Sequence, residues 1–170
     1  MEDKKLVFNN LLDSLELREI EKKSFSVNKN GFGKIFKIEE NLTINVNLKS
    51  HDDDPLELQE NLILFRPVFS VSIVGENNLR KIEKASETPT VSPEKDKVEI
   101  KSEFQLEVFF AVYFQLKDRK GFFDCWKIDE LRKIFIEQQL QKLLWPFLRQ
   151  LTSDSMNSLN LNSIALPLLL

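Results

Sequence analysis

Two places in this 170-residue chain gather side chains capable of chemistry. His51-Asp52-Asp53-Asp54-Pro55 sets the one imidazole beside three carboxylates, all of them metal-ligand types. A proline closes that run and no second ligand set accompanies it, so the same residues read as a solvated turn. Cys125 is the one thiol. A nucleophilic cysteine needs a base to hold it as thiolate, and the single histidine lies far away in sequence, in a charged loop. No carboxylate–histidine pair suggests general acid–base work either. The expectation is a protein with no catalytic residue, no metal and no cofactor.

Aromatic side chains carry more information. Over residues 103–117, Phe104, Leu106, Val108, Phe110, Val112, Phe114 and Leu116 fall on one face of a β-strand, which must be core. The other face is polar at both ends and aromatic in the middle, with Phe109 and Tyr113 two rungs apart. Phe122, Phe123 and Trp126 follow in what reads as a loop, placed to wall that strip. Exposed rings touch any apolar side chain, so these five residues are candidates for holding extended polypeptide; the competing reading puts them in the core or an interface between subunits.

Composition limits the other possibilities. With 24 Lys and Arg against 27 Asp and Glu, the net charge is −3, too little positive charge to displace phosphate counterions along a nucleic acid. One cysteine permits no internal disulfide and suits a reducing compartment. The opening Met1-Glu2-Asp3-Lys4-Lys5 is not a signal peptide, and no apolar run approaches the roughly 20 residues of a membrane span. A cytoplasmic protein is expected.

The elements that must position these residues follow from periodicity. Leu6, Val7, Leu11, Leu12 and Leu15 have helical spacing. A first strand runs through Leu17, Ile20, Phe25 and Val27 and ends before a turn at Asn30-Gly31-Phe32-Gly33. Leu42, Ile44, Val46 and Leu48 alternate with polar residues in a second strand. A third covers 62–74, with Ile63, Phe65, Phe69, Val71 and Ile73 on one face; Pro67 there implies a sheet edge or a bulge. Residues 76–97 have a linker's composition. From Ile128 to Leu151 apolar residues recur at 3.6-residue spacing, predicting a long amphipathic helix with a kink at Pro146. Its apolar arc is wide enough that Phe135, Leu140, Leu144 and Leu148 are candidates for a subunit interface. Residues 157–170 read as an extended apolar tail. The whole predicts one α+β domain over 1–170: a four-stranded antiparallel sheet with helices on one face, the long C-terminal helix among them.

Leu144-Trp145-Pro146-Phe147-Leu148-Arg149 resembles the motif of the SecB family of export chaperones, which runs aliphatic, aromatic, Pro, aromatic, any residue, Arg. The Leu- and Pro-containing run from Leu159 to Pro167 and the strand start Phe104-Gln105-Leu106-Glu107-Val108 are similar to that family too. The resemblance implies a homotetramer, a dimer of dimers joined by sheet edges and long helices. It implies an ATP-independent holdase that binds unfolded precursor polypeptides and delivers them to the SecA motor ATPase for Sec-dependent export. Glu107 is the SecA contact this implies, whereas Ser24 and Asn28 stand where the family carries further acids. SecB-like chaperones that serve toxin–antitoxin systems have a similarly short C-terminus and form the alternative. A structural adaptor with a single partner is another, told apart by its indifference to unfolded proteins in general. A hotdog-type enzyme places its helix among the strands rather than after them.

Overall fold

The computed structural model describes residues 2–29, 42–50, 54–59, 61–75, 104–161, 164 and 166. The turn at 30–33, His51, Asp52, Asp53 and the linker 76–97 lie outside these residues.

The chain opens with α1 (Glu2–Asp13), whose Leu11 is fully buried. Ser14 ends the helix. Its hydroxyl donates to the Leu11 carbonyl at 2.6 Å, and its own carbonyl accepts from the Lys117 amide at 2.8 Å, so helix end and sheet start are tied at one residue. Six strands follow: β1 (Leu15–Lys29), β2 (Leu42–Ser50), β3 (Leu56–Glu57), β4 (Leu62–Phe65), β5 (Pro67–Gly75) and β6 (Phe104–Leu116). All pairings are antiparallel. β6 is central, with β1 along one side and β4 and β5 along the other; β2 pairs with β5, and β3 with β4.

Among the described residues six strands stand where four were expected, because two of the four are interrupted. β4 and β5 keep a single register against β6, from Leu62 opposite Gln115 to Ile73 opposite Phe104. They are one strand broken at Arg66, next to the proline that lacks a ladder donor. Pro67 is therefore not at a sheet edge, since β5 lies between β2 and β6. The β2 ladder ends where Ser50 pairs with Pro67, and the β3 ladder pairs Leu56 with Leu64.

β1 hides its alternation for a similar reason. Leu15 and Leu17 face Leu116 and Phe114, Ile20 faces Val112, and Phe25 and Val27 face Val108 and Leu106. The apolar positions shift from odd to even and back to odd. Two register shifts, at Arg18 and Lys23, flip the side-chain phase each time and return the apolar side chains to the core face of β6.

After β6 comes a helix where a loop was expected. α2 (Arg119–Trp126) is capped by Asp118, whose side chain accepts from the Gly121 amide at 2.9 Å. A Cβ on Gly121 would come within 2.2 Å of the Asp118 carboxylate, so any larger residue there must displace the cap. α3 (Asp129–Ile134), a π-helical turn (Phe135–Leu140) and α4 (Gln141–Ser158) then run on. The π-turn keeps the buried stripe in line. Buried positions step by four from Leu131 to Phe135 and again from Leu140 through Leu144, Leu148 and Thr152 to Met156, but by five from Phe135 to Leu140. In an α-helix five residues rotate about 500°, which would leave Leu140 roughly 140° off the sheet. The wider turn absorbs the extra residue. α4 continues through Pro146 and ends at Asn160, whose φ of 53° turns the chain left-handed. The Leu161 amide then returns to the Met156 carbonyl at 2.9 Å and the Asn160 amide to Asn157 at 3.0 Å, a Schellman ending. Beyond it Leu161 and Leu166 are buried in the core.

Candidate functional site

The two faces of the sheet have different fates. All seven residues of the even-numbered face of β6, Phe104 to Leu116, are buried against Leu131, Phe135, Leu140, Leu144 and Leu148 of the helical layer. The odd-numbered face is outside that core cluster. Among the described residues no helix packs on it, yet it is apolar at its centre: Ala111 and Val68 are buried, and Phe109 and Tyr113 half-buried.

Registering the strands shows how far this apolar area extends. Across one rung lie Leu56, Leu64, Tyr113 and Glu19. One rung further, the Leu58 amide donates to the Leu62 carbonyl at 2.7 Å and carries Leu58 opposite Leu62, with Gln115 and Glu16 beyond. In the other direction are Ala111 beside Glu21, then Val68, Phe109 and Ser24. Four leucines, two of them about two-fifths exposed (Leu56 42%, Leu58 41%), thus continue the Phe109–Tyr113 strip toward the β3 corner. The acids Glu16, Glu19 and Glu21 of β1 border it.

The Tyr113 ring is held in place. Its hydroxyl donates to Glu21 Oε2 at 3.0 Å, and the Lys23 ammonium, paired with the same carboxylate, stands 5.9 Å from the ring centre. Lys23 first, then the Tyr113 hydroxyl, hold the Glu21 carboxyl below its ordinary range, while Glu21 raises Lys23 in return.

The other aromatic candidates are elsewhere. Phe122 and Trp126 stack at 5.3 Å and are buried among Phe65, Phe114 and Phe135 on the helical side. Phe123 is half-buried beside Phe122, under the Arg119 guanidinium. None of the three walls the Phe109–Tyr113 strip: the residues between β6 and α3 form a helix that turns back over the core. Their spacing held the clue, since Phe122 and Trp126 are four apart behind a capping aspartate. The leucines were missed for another reason. Leu62-Ile63-Leu64-Phe65 is apolar on both faces, and only pairing shows that its even-numbered residues join Tyr113.

The subunit-interface candidates also move inward. Phe135, Leu140, Leu144 and Leu148 are all buried in the chain's own core, because the sheet and the π-turn together cover the whole stripe. What the helix exposes instead is Phe147, at 46%. With Leu151, Gln150 and Asp154 it lines a cavity of about 240 Å³ against Lys22 and Phe110. The neighbouring Phe25 lies under the Lys22 ammonium, 4.6 Å from its ring centre, and is 48% exposed. β1 has no strand on its outer side among the described residues.

The residues first considered for chemistry have other engagements. Asp54 accepts from the Trp126 indole at 2.9 Å and from Arg132 at 3.4 Å. The Cys125 thiol lies 3.8 Å from the Val7 carbonyl, and burial, then Asp124 and Asp118, push it up and away from thiolate. No group of three or more metal-ligand side chains occurs among the described residues. No described helix is long and apolar enough to cross a membrane. Glu107 stands on this odd-numbered face, half-buried between Ser70 and Ser26.

No family model matches the sequence, and no curated protein does. Among solved structures, the chain is similar to the SecB-like chaperone Rv1957 of Mycobacterium tuberculosis, solved in complex with a ChAD peptide from the Rv1956 HigA1 antitoxin. The TM-score is 0.60 at 12% identity, with 98% of this chain and 99% of that chain covered. An antiparallel sheet with a long C-terminal helix on one face, matched over essentially its whole length, is the SecB-like fold, and this chain has it.

Proposed function

We propose that the protein is an ATP-independent chaperone that holds unfolded or extended polypeptide segments on the open face of its sheet. The observation that carries this reading is the strip Leu58, Leu62, Leu56, Leu64, Tyr113 and Phe109 on a face no described helix covers. Apolar contact sets the scale of binding, at about 25 cal/mol per Å² buried. The reading assigns the protein no reaction of its own. It places the chaperone in the cytoplasm as a homotetramer, with β1 edges and the Phe25–Phe147 surface meeting between subunits.

Two client classes fit. One is the unfolded precursor on its way to SecA, with Glu107 and the acids of β1 as the docking face. The other is an antitoxin, supported by the peptide bound to the structural neighbour. The test is binding of several permanently unfolded, reduced test proteins and of a set of antitoxin C-terminal peptides. A holdase binds many of the unfolded proteins. Binding of none, with one folded partner captured tightly, would instead identify a single-partner adaptor.

A further inference from the structure

We infer that Asp54–Gln59 is an electrostatically latched strap, in which Asp54 and Glu57 hold Leu56 and Leu58 at the end of the apolar strip and so make an apolar binding face sensitive to salt. The inference rests on the strip being the ligand surface. β3 itself is a weak attachment. It contributes two ladder positions, Leu56 opposite Leu64 and Glu57 opposite Ile63, followed by the Leu58-to-Leu62 hydrogen bond. Both leucines are more than two-fifths exposed, so little burial holds them.

What ties the segment to the helical layer is charge. Glu57 pairs with Arg119 at the start of α2. Asp54 pairs with Arg132 of α3, which is itself held by Asp129 at 2.8 Å. Asp54 also accepts from the indole N–H of Trp126, a side chain only 4% exposed. Losing the Asp54 carboxylate would cost that buried donor its acceptor as well as an ion pair. Asp54 and Glu57 touch no ligand in this scheme; they are positioning residues. The consequence runs against the usual behaviour of apolar binding, which salt strengthens or leaves unchanged. Here, screening the latch lets Leu56 and Leu58 leave the strip, and affinity falls as salt rises.

The experiment has two arms. Without ligand, amide exchange at Leu58 is compared in wild type, Asp54→Ala/Glu57→Gln and the milder Asp54→Asn, which keeps an oxygen for the indole. Salt is raised from about 0.1 M to about 1 M, over which the screening length falls from about 10 Å to about 3 Å. Expected is exchange roughly tenfold faster in the double variant at low salt, the wild type approaching it at high salt, and no change at β6 amides paired with β1. In the second arm, a reduced, carboxymethylated, permanently unfolded protein is titrated. Expected is several-fold weaker binding by the variant at low salt, convergence at high salt, and recovery of both readouts in the charge-swapped Glu57→Arg/Arg119→Glu protein. Leu58 exchange indifferent to variants and salt overturns the latch. Exchange that responds while affinity does not overturns the link to binding and removes Leu56 and Leu58 from the ligand surface, leaving the chaperone reading to stand on Tyr113 and Phe109.

Discussion

The even and odd faces of β6 share one backbone and differ in what the described residues place above them. The even face carries seven apolar residues, all buried beneath a helical layer. The odd face has apolar residues of similar kind at its centre and no described helix above them. Alternation alone creates both, because successive side chains point to opposite sides of a sheet. A fully covered apolar face contributes to stability, whereas an exposed apolar surface can meet a ligand, as proposed for the odd face. Mutations on the two sides should therefore separate stability from binding.

The largest effect is expected on the covered side. Leu148→Lys places a charge at a fully buried position between helix and sheet, and the domain should lose about 4 kcal/mol or more and aggregate. Urea unfolding and sedimentation check this. A stable, soluble monomer would return Leu148 to the subunit interface, where the wide apolar arc first placed it. The outward-facing counterpart, Phe147→Glu, should keep the fold and lower the oligomeric state if that surface joins subunits.

Next in size is the paired test of the two faces. Tyr113→Ala with Leu64→Ala should weaken binding of an unfolded protein by about ten- to a hundredfold, since two apolar anchors are lost. Val112→Ala, one residue from Tyr113, should cost about 1–3 kcal/mol of stability and leave affinity unchanged. Calorimetric titration and thermal melting of both proteins decide it; reversed outcomes would reverse the assignment of faces.

A smaller effect is expected at the α2 cap. Gly121→Ala pushes a methyl into the Asp118 carboxylate and should cost about 0.5–2 kcal/mol through loss of the cap, with binding to the open face unaffected. Chemical denaturation measures it, and an undisturbed midpoint would mean that the cap relaxes freely.

The smallest concerns pH. Glu21 has a carboxyl held below its ordinary value of 4.5, so what it contributes is fully present above that value and is lost as pH falls through the lowered one. The difference in denaturation midpoint between wild type and Glu21→Gln should be constant near neutrality and shrink below about pH 4.5. A difference that persists unchanged into acid would remove Glu21 from the titrating groups.

Much of this protein was legible beforehand where burial imposed a period. The helix at the start, the strands at 42–48 and 62–74, the strand at 103–117 and the long final helix all announce themselves through apolar spacing, and the two faces of β6 were assigned from alternation alone. The candidate site was half legible: Phe109 and Tyr113 came from that alternation, whereas Leu56, Leu58, Leu62 and Leu64 did not, because a run apolar on both faces carries no sign of which side meets which neighbour. The phase changes of β1 were obscured by single extra residues at Arg18 and Lys23.

By itself the sequence determined the class, the order of its main elements and the core side of the central strand, since local periodicity is a property of consecutive residues. Only the tertiary structure decided the rest. Pairing register joined four leucines to Tyr113, a π-turn turned Phe135, Leu140, Leu144 and Leu148 inward, and a capped helix took Phe122 and Trp126 into the core. Each of these depends on contacts between residues far apart in the chain, and local spacing carries no record of which distant residue will be the neighbour.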